Sequence, residues 1–310
     1  MMNLVLGAMF FGTRHDERAS FELLDRFVDG GGTMIDTSNN YPFWEHPSGH
    51  GGASETLLGA WFAARPGMRD RVYLSTKVGA EPRVPGGYPD NVEGLSEPAI
   101  TTAIEGSLKR MGVEHVDLYW AHVEDRSVPV EETVGAFGSL VARGVVRRLG
   151  ASNHATYRVE QARAVARAQG VVGYSALQLR YSYLSPRPGV LVHGQRFGSV
   201  TDETLDYASS EHLDVWAYTP LIEGAYVRAD KPLPEGYDHP GTTRRLAALD
   251  EVAAELSATR NQVVLAWLIG GTPAITPLVG VSSAAQLDEA LAGARLTLSD
   301  DQRRRLDAAA

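Results

Sequence analysis

Thr33-Met34-Ile35-Asp36-Thr37-Ser38-Asn39-Asn40-Tyr41 reads as a short apolar strand that ends in an acid, with a tyrosine five residues further on. Taken alone, an Asp in that place is more often a helix cap or a loop-fixing residue than a functional one. Two later strand ends give it weight. Val72-Tyr73-Leu74-Ser75-Thr76-Lys77 closes on a lysine, and Val116-Asp117-Leu118-Tyr119-Trp120-Ala121-His122 on a histidine.

Outward from these three stretches the same alternation continues in both directions. An apolar run at 4–9 precedes Phe21, Leu24, Phe27 and Val28 at helical spacing, and 33–36 precedes a helical face at 55–64. Further strand and helix pairs follow at 72–77 and 97–111, 116–122 and 130–141, 145–152 and 156–168, and 174–179 and 202–210. Two more lie at 213–221 and 243–269, the helical stretch broken near 257–259, and at 274–281 and 284–291, before a polar helix at 299–306. Strands this apolar, alternating with amphipathic helices, are parallel and buried on both faces. Eight such units predict an α/β fold, a (β/α)8 TIM barrel forming one domain over residues 1–310, with extended βα loops at its C-terminal mouth. The rival, a doubly wound dinucleotide-binding sheet, needs a Gly-x-Gly-x-x-Gly turn after its first strand. Here Gly7 and Gly12 flank four other residues, and the triple glycine at 30–32 precedes a strand.

Composition sets the outer bounds. The 310 residues are 44% hydrophobic and 22% charged, enough to bury a sizeable core. A formal net charge of −9 with no basic stripe argues against nucleic acid as a partner. No cysteine is present, which excludes disulfides, thiolate metal sites and a cysteine nucleophile. No signal peptide and no apolar run of membrane-spanning length are visible, so a cytoplasmic location is the default expectation.

In a barrel the βα loops carry function. Asp36, Lys77 and His122 would meet at one mouth with Tyr41 just beyond Asp36. A lysine at the end of an apolar strand needs a partner, and Asp36 lies one strand away. Tyrosine, with an ordinary pKa of about 10, donates a proton poorly near neutrality unless a cation favours its phenolate. Lys77 would supply that cation, Asp36 would hold Lys77, and His122 would orient a substrate oxygen by a hydrogen bond. The set would polarise a carbonyl, with Tyr41 as general acid or base. The bland alternative is four side chains that satisfy one another.

The neighbouring residues speak to that choice. Asp-Thr-x-x-x-Tyr at 36–41, Ser75-Thr76-Lys77-Val78-Gly79 and Val116 to His122 resemble the aldo-keto reductase family in order, spacing and strand context. So do Pro129-Val130-Glu131-Glu132-Thr133 and the run from Gly144 to His154. The resemblance, from Gly7 to Gly280, implies that Asp36, Tyr41, Lys77 and His122 are the catalytic tetrad of an NAD(P)H-dependent oxidoreductase acting on a carbonyl or alcohol. It implies a nicotinamide dinucleotide without a Rossmann motif. Ser152, Asn153 and Gln178 would hold the carboxamide and Tyr218 would stack on the ring. Leu221 and Gly224 would lie along the diphosphate, with Gly7, Gly280, Ser282 and Gln286 completing the cofactor-binding set. NADP(H) is favoured over NAD(H) by the family, although no Arg or Lys stands between 280 and 290 to take a 2′-phosphate.

Substrate contacts are expected from variable loops. Phe10 and Phe11 after strand one, and Phe43 and Trp44 after Tyr41, are the wall candidates, while Trp120 faces the interior below the site as packing. The long 183–199 loop, with Arg187, His193, Arg196 and Phe197, is a candidate cover or self-association surface, and a homo-oligomer is left open. His46 and His50 superficially suggest a metal, but glycines and a proline break their spacing, so none is expected. The residues before strand one are too few for the small hairpin that closes the barrel's bottom in that family, so another segment is expected there. Two alternatives stay open: a cofactor-sensing regulatory barrel with little turnover, and an NAD-dependent sugar or cyclitol dehydrogenase.

Overall fold

In the computed structural model, which describes residues 2–190 and 198–309, eight parallel strands close a barrel in chain order. They are β1 (Val5–Gly7), β2 (Met34–Asp36), β3 (Tyr73–Val78), β4 (Val116–Ala121), β5 (Val146–Ser152), β6 (Ala176–Arg180), β7 (Asp214–Tyr218) and β8 (Ile275–Val279). Around them run α1 (Glu17–Asp29), α2 (Ala53–Ala64), α3 (Glu97–Met111), α4 (Val130–Ala142), α5 (Thr156–Gln169) and α6 (Asp202–Ser210), then α7 (Pro240–Glu255), α8 (Arg260–Ile269), α9 (Ala284–Arg295) and α10 (Asp300–Ala308). The (β/α)8 expectation holds.

The break expected near 257–259 is a true one. Ser257 takes a left-handed φ of 50°, and Thr259 opens α8 with a reciprocal cap to Gln262. Ser299 and Gln302 repeat that cap at α10, which docks beside α7 and α8. There Tyr183 donates to the Leu306 carbonyl at 2.9 Å and Arg303 to that of Trp267 at 3.0 Å.

Alternation sorts the strand residues into two shells. Outward residues such as Leu6, Ile35, Leu74, Tyr119 and Leu149 join the large core beneath the helices. Inward residues Val5, Leu118, Trp120, Ala176 and Trp216 form a second, smaller core inside the barrel. Trp120 and Trp216 meet there edge to face at 5.2 Å between ring centroids. The register that pairs Trp120 with Gly150 makes this possible, since a Cβ on Gly150 would stand 2.2 Å from the Trp120 ring. At the bottom, Arg148 reaches Asp214 at 2.7 Å and Thr276 donates to Asn3 at 2.6 Å, so inward side chains fill that end. No described helix is long and apolar enough to cross a membrane.

Candidate active site

The register Gly7, Asp36, Ser75 runs across three strands at the top of the barrel, and Lys77 follows two residues after Ser75 on the same inward face. Lys77 and Asp36 are buried and form an ion pair through Nζ and Oδ2. Nζ also donates to the Thr37 carbonyl at 2.7 Å. Asp36 Oδ1 accepts from Ser75 Oγ at 2.5 Å and from Gln178 Nε2 at 3.2 Å. Tyr41 lies over this pair, its ring centroid 4.8 Å from Nζ, and meets the His122 ring edge to face at 5.6 Å. The structure thus brings together all four residues singled out in the sequence.

Their electrostatics differ from the expectation in one respect. Lys77 was expected to draw the Tyr41 pKa down. Burial, with the Asp36 carboxylate and the Tyr88 phenol, instead pushes it above the ordinary tyrosine value. Asp36 neutralises Lys77 at contact range, so the pair presents the phenol with a compact dipole, and desolvation sets the direction. Burial likewise pulls Lys77 below the ordinary lysine value, against the opposing pull of Asp36. Burial and the Lys77 charge keep His122 neutral, well below the usual histidine range. His122 Nδ1 is 3.2 Å from Ser38 Oγ, which itself donates to Asn40 Oδ1 at 2.6 Å.

A polar strip continues across the mouth. Ser152, at the end of β5, is the register partner of Gln178 in β6. Asn153, in the left-handed region that asparagine tolerates, donates to the His122 carbonyl at 3.0 Å and to Ser152 Oγ at 3.1 Å. Its side-chain oxygen accepts from Tyr218 Oη at 2.7 Å. Ser152, Asn153, Gln178 and Tyr218 are therefore contiguous with the tetrad.

Beyond β7 the chain bends sharply, with positive φ at Thr219, Ile222, Glu223 and Gly224, and half-buried Leu221 within the bend. Gly7 belongs to the mouth, where a Cβ would stand 2.8 Å from Leu278 Cδ2. Gly280 is exposed and a Cβ there would meet nothing, so its position does not demand glycine. Ser282 donates through both N–H and Oγ to Gln286 Oε1, at 2.7 and 2.9 Å, and Ser283 caps α9.

The wall beside Tyr41 is aromatic. Trp44 packs edge to face against Tyr41, Phe43 and Phe10 at 6.2, 4.9 and 6.3 Å, and Phe43 meets Tyr88 at 5.1 Å. Arg14 covers the outer side of Phe10 at 4.0 Å and pairs with Glu45. Phe11 is a correction. It is 1% exposed and packs in the core against His15, because the turn after β1 aims alternate side chains to opposite sides.

A family profile described as the Aldo/keto reductase family matches residues 3–310. The chain belongs to the aldo/keto reductase family. It is 29% identical over 313 residues to the uncharacterized oxidoreductase YrpG of Bacillus subtilis, covering 98% of this chain and 90% of that one. It is 29% identical over 313 residues to norsolorinic acid reductase stcV of Emericella nidulans, covering 96% and 76%. To aldo-keto reductase yakc [NADP(+)] of Schizosaccharomyces pombe it is 28% identical over 308 residues, covering 92% and 80%. The protein is an NAD(P)H-dependent oxidoreductase of this family.

In this aldo/keto reductase His46 and His50 go separate ways, to Ser48 at 2.8 Å and to Glu81 at 3.0 Å. Among the described residues no three His, Asp or Glu side chains converge as a metal site. His193, Arg196 and Phe197 of the 183–199 loop lie outside the described residues, while Arg187 donates its N–H to the Gly236 carbonyl at 2.7 Å. Sequence reasoning missed Ser75, Ser38, Tyr88 and Arg180. Ser75 and Arg180 carried a signal, since each stands two residues from a singled-out inward residue on its own strand.

Proposed function

We propose that the protein is a carbonyl reductase for aldehydes and ketones on flat aromatic frames, with Tyr41 as the general acid. The observation that carries this reading is the Tyr41 hydroxyl, which has no hydrogen-bond partner among the described residues and stands at the meeting point of the ion pair, His122 and the aromatic wall. The bound nicotinamide supplies the hydride. Tyr41, held protonated, gives its proton to the substrate oxygen. Lys77 stabilises the phenolate left behind, Asp36 holds Lys77 in place, and the neutral His122 ring packs edge to face on Tyr41 and fixes its approach to the oxygen. Ser152, Asn153 and Gln178 orient the carboxamide, and Tyr218 carries the ring. NADP(H) is the proposed cofactor, as in the name of the Schizosaccharomyces pombe relative, aldo-keto reductase yakc [NADP(+)]. With no cation between 280 and 290, NADH is expected to bind within about tenfold of NADPH.

The test is a panel of aryl and aliphatic aldehydes of matched size. Each edge-to-face ring contact adds about 0.5–1.5 kcal/mol, so aryl substrates are expected to lead in kcat/KM by about tenfold. Trp44→Ala is expected to remove that lead mainly through KM. Equal rates across the panel in the wild-type protein would sink the substrate class.

A second reading rests on one contact. Because Ser38 Oγ donates to Asn40, it accepts from His122 Nδ1–H, which leaves Nε2 of the neutral ring as an acceptor suited to an alcohol hydroxyl. Faster oxidation of benzylic alcohols than reduction of the matching aldehydes, both at saturation, would favour an alcohol dehydrogenase.

A further inference from the structure

An open cavity lies just outside the ends of β6 and β7, bordered by Arg180, Thr219, Ile222, Lys231 and Tyr237. Arg180 is the last inward residue of β6, following Ala176 and Gln178, and its Cα pairs with that of Tyr218. Its guanidinium carbon lies 5.3 Å from the centre of the Tyr218 ring. Its Nε is buried and has no hydrogen-bond partner among the described residues, while the rest of the guanidinium interacts with the Tyr218 hydroxyl. A buried donor left in that state is destabilising, and an arriving acceptor relieves the cost. Neither Arg180 nor Lys231 has an ion pair among the described residues, whereas neighbouring Arg228 is tied to Asp230. Glu223, the acid bordering the cavity, is exposed and already has an interaction of its own.

The backbone on the cavity's other side is a strained bend. Thr219 and Ile222 are β-branched yet held at φ of 54° and 47°, followed by Glu223 at 55° and Gly224 at 96°. Strain of this kind persists only where the surroundings fix it. The Ile222 and Gly224 N–H groups of this bend are spent on the Thr219 and Leu221 carbonyls, so the attraction for an anion rests on the Arg180 and Lys231 side chains. The segment after β8 offers no such charge. No Arg or Lys stands between 280 and 290, and Ser282 and Gln286 are bonded to each other.

We infer that Arg180 and Lys231 form a cationic clamp on the diphosphate of the bound dinucleotide, and that cofactor affinity in this chain rests there instead of on a 2′-phosphate contact. This rests on the dinucleotide reading above. The clamp meets a group common to NADH and NADPH, so it holds both.

Direct fluorescence titration of the purified full-length protein with NADPH and with NADH tests it. Charge-assisted hydrogen bonds to an anion correspond to about a tenfold change or more. Arg180→Gln is therefore expected to weaken both dinucleotides by at least about tenfold and by the same factor. Lys231→Gln should weaken both to a smaller extent, Arg180→Lys should keep part of the affinity, and the distant surface change Lys109→Gln should do nothing. Inorganic diphosphate should compete with NADH on the wild-type protein, and rising salt should weaken wild-type binding more than binding by the double variant. If Arg180→Gln does not fold, Lys231→Gln and the wild-type salt dependence decide. Wild-type binding with unchanged affinity in these variants would overturn the clamp alone. So would a loss confined to NADPH, or one seen only in the aldehyde KM. A wild-type protein that binds neither dinucleotide would overturn the functional reading and this inference together.

Discussion

Tyr41→Phe is expected to lower the kcat for aldehyde reduction by about a thousandfold, within the range of about 10²–10⁴ contributed by positioned proton transfer. The dinucleotide dissociation constant and the melting temperature should barely move. The reason lies in what the substitution leaves behind. The ring keeps its packing on Trp44, His122 and the Lys77 ammonium, and the hydroxyl it loses bonds to nothing else among the described residues. A side chain whose polar atom is spent on no structural contact should affect the reaction and little else. Single-turnover measurement with saturating cofactor separates the two readouts. A variant that retains more than about a tenth of wild-type turnover would remove Tyr41 from the proton-donor role.

Lys77→Met is expected to fail twice, in turnover and in stability. The ammonium is fully buried, with Asp36 and the Thr37 carbonyl as its partners. Removing it strands a buried carboxylate that keeps only its Ser75 and Gln178 donors, and breaking a buried pair in this way costs about 3–5 kcal/mol. The double change Asp36→Asn with Lys77→Met removes both charges and should recover most of the lost stability while turnover stays absent. Denaturant unfolding of the single and the double variant beside the wild type checks it. Equal instability in the single and double variants would mean that volume, not charge, sets the cost. The same burial acts on the pH profile of the wild type. Lys77 is charged below its lowered pKa and neutral above it, so reduction should slow as pH rises through a midpoint below the ordinary lysine value of 10.5.

Much of this was legible in the sequence because barrel strands translate position into direction. An inward residue at the end of a buried run has one place to go, so Asp36, Lys77 and His122 converge whatever path the loops take. The break at 257–259 was legible because Ser-x-Thr with a following Gln is local cap chemistry. What the sequence withheld depends on how loops bend in space. Tyr88 lies 45 residues from Phe43 and reaches it only because the segment after β3 folds back over the mouth. Phe11 looked equivalent to Phe10, yet one turn sends the first to the site and the second to the core. The direction of the Tyr41 shift was misjudged because contact between Asp36 and Lys77 cancels a field that residue types alone suggest.

The crossed indoles of Trp120 and Trp216 give the molecule an optical property. Two chromophores 5.2 Å apart at an interplanar angle of 64° couple their transitions, and the resulting circular dichroism band belongs to the closed barrel and vanishes when the strands part. Trp44, 46% exposed at the mouth, is accessible to a collisional quencher that cannot reach the fully buried Trp120. The change in quenching when Trp44 is covered therefore follows the aromatic wall beside Tyr41, over a constant part from half-buried Trp267 on α8, while the coupled band follows integrity of the interior, so one unlabelled sample reports on both.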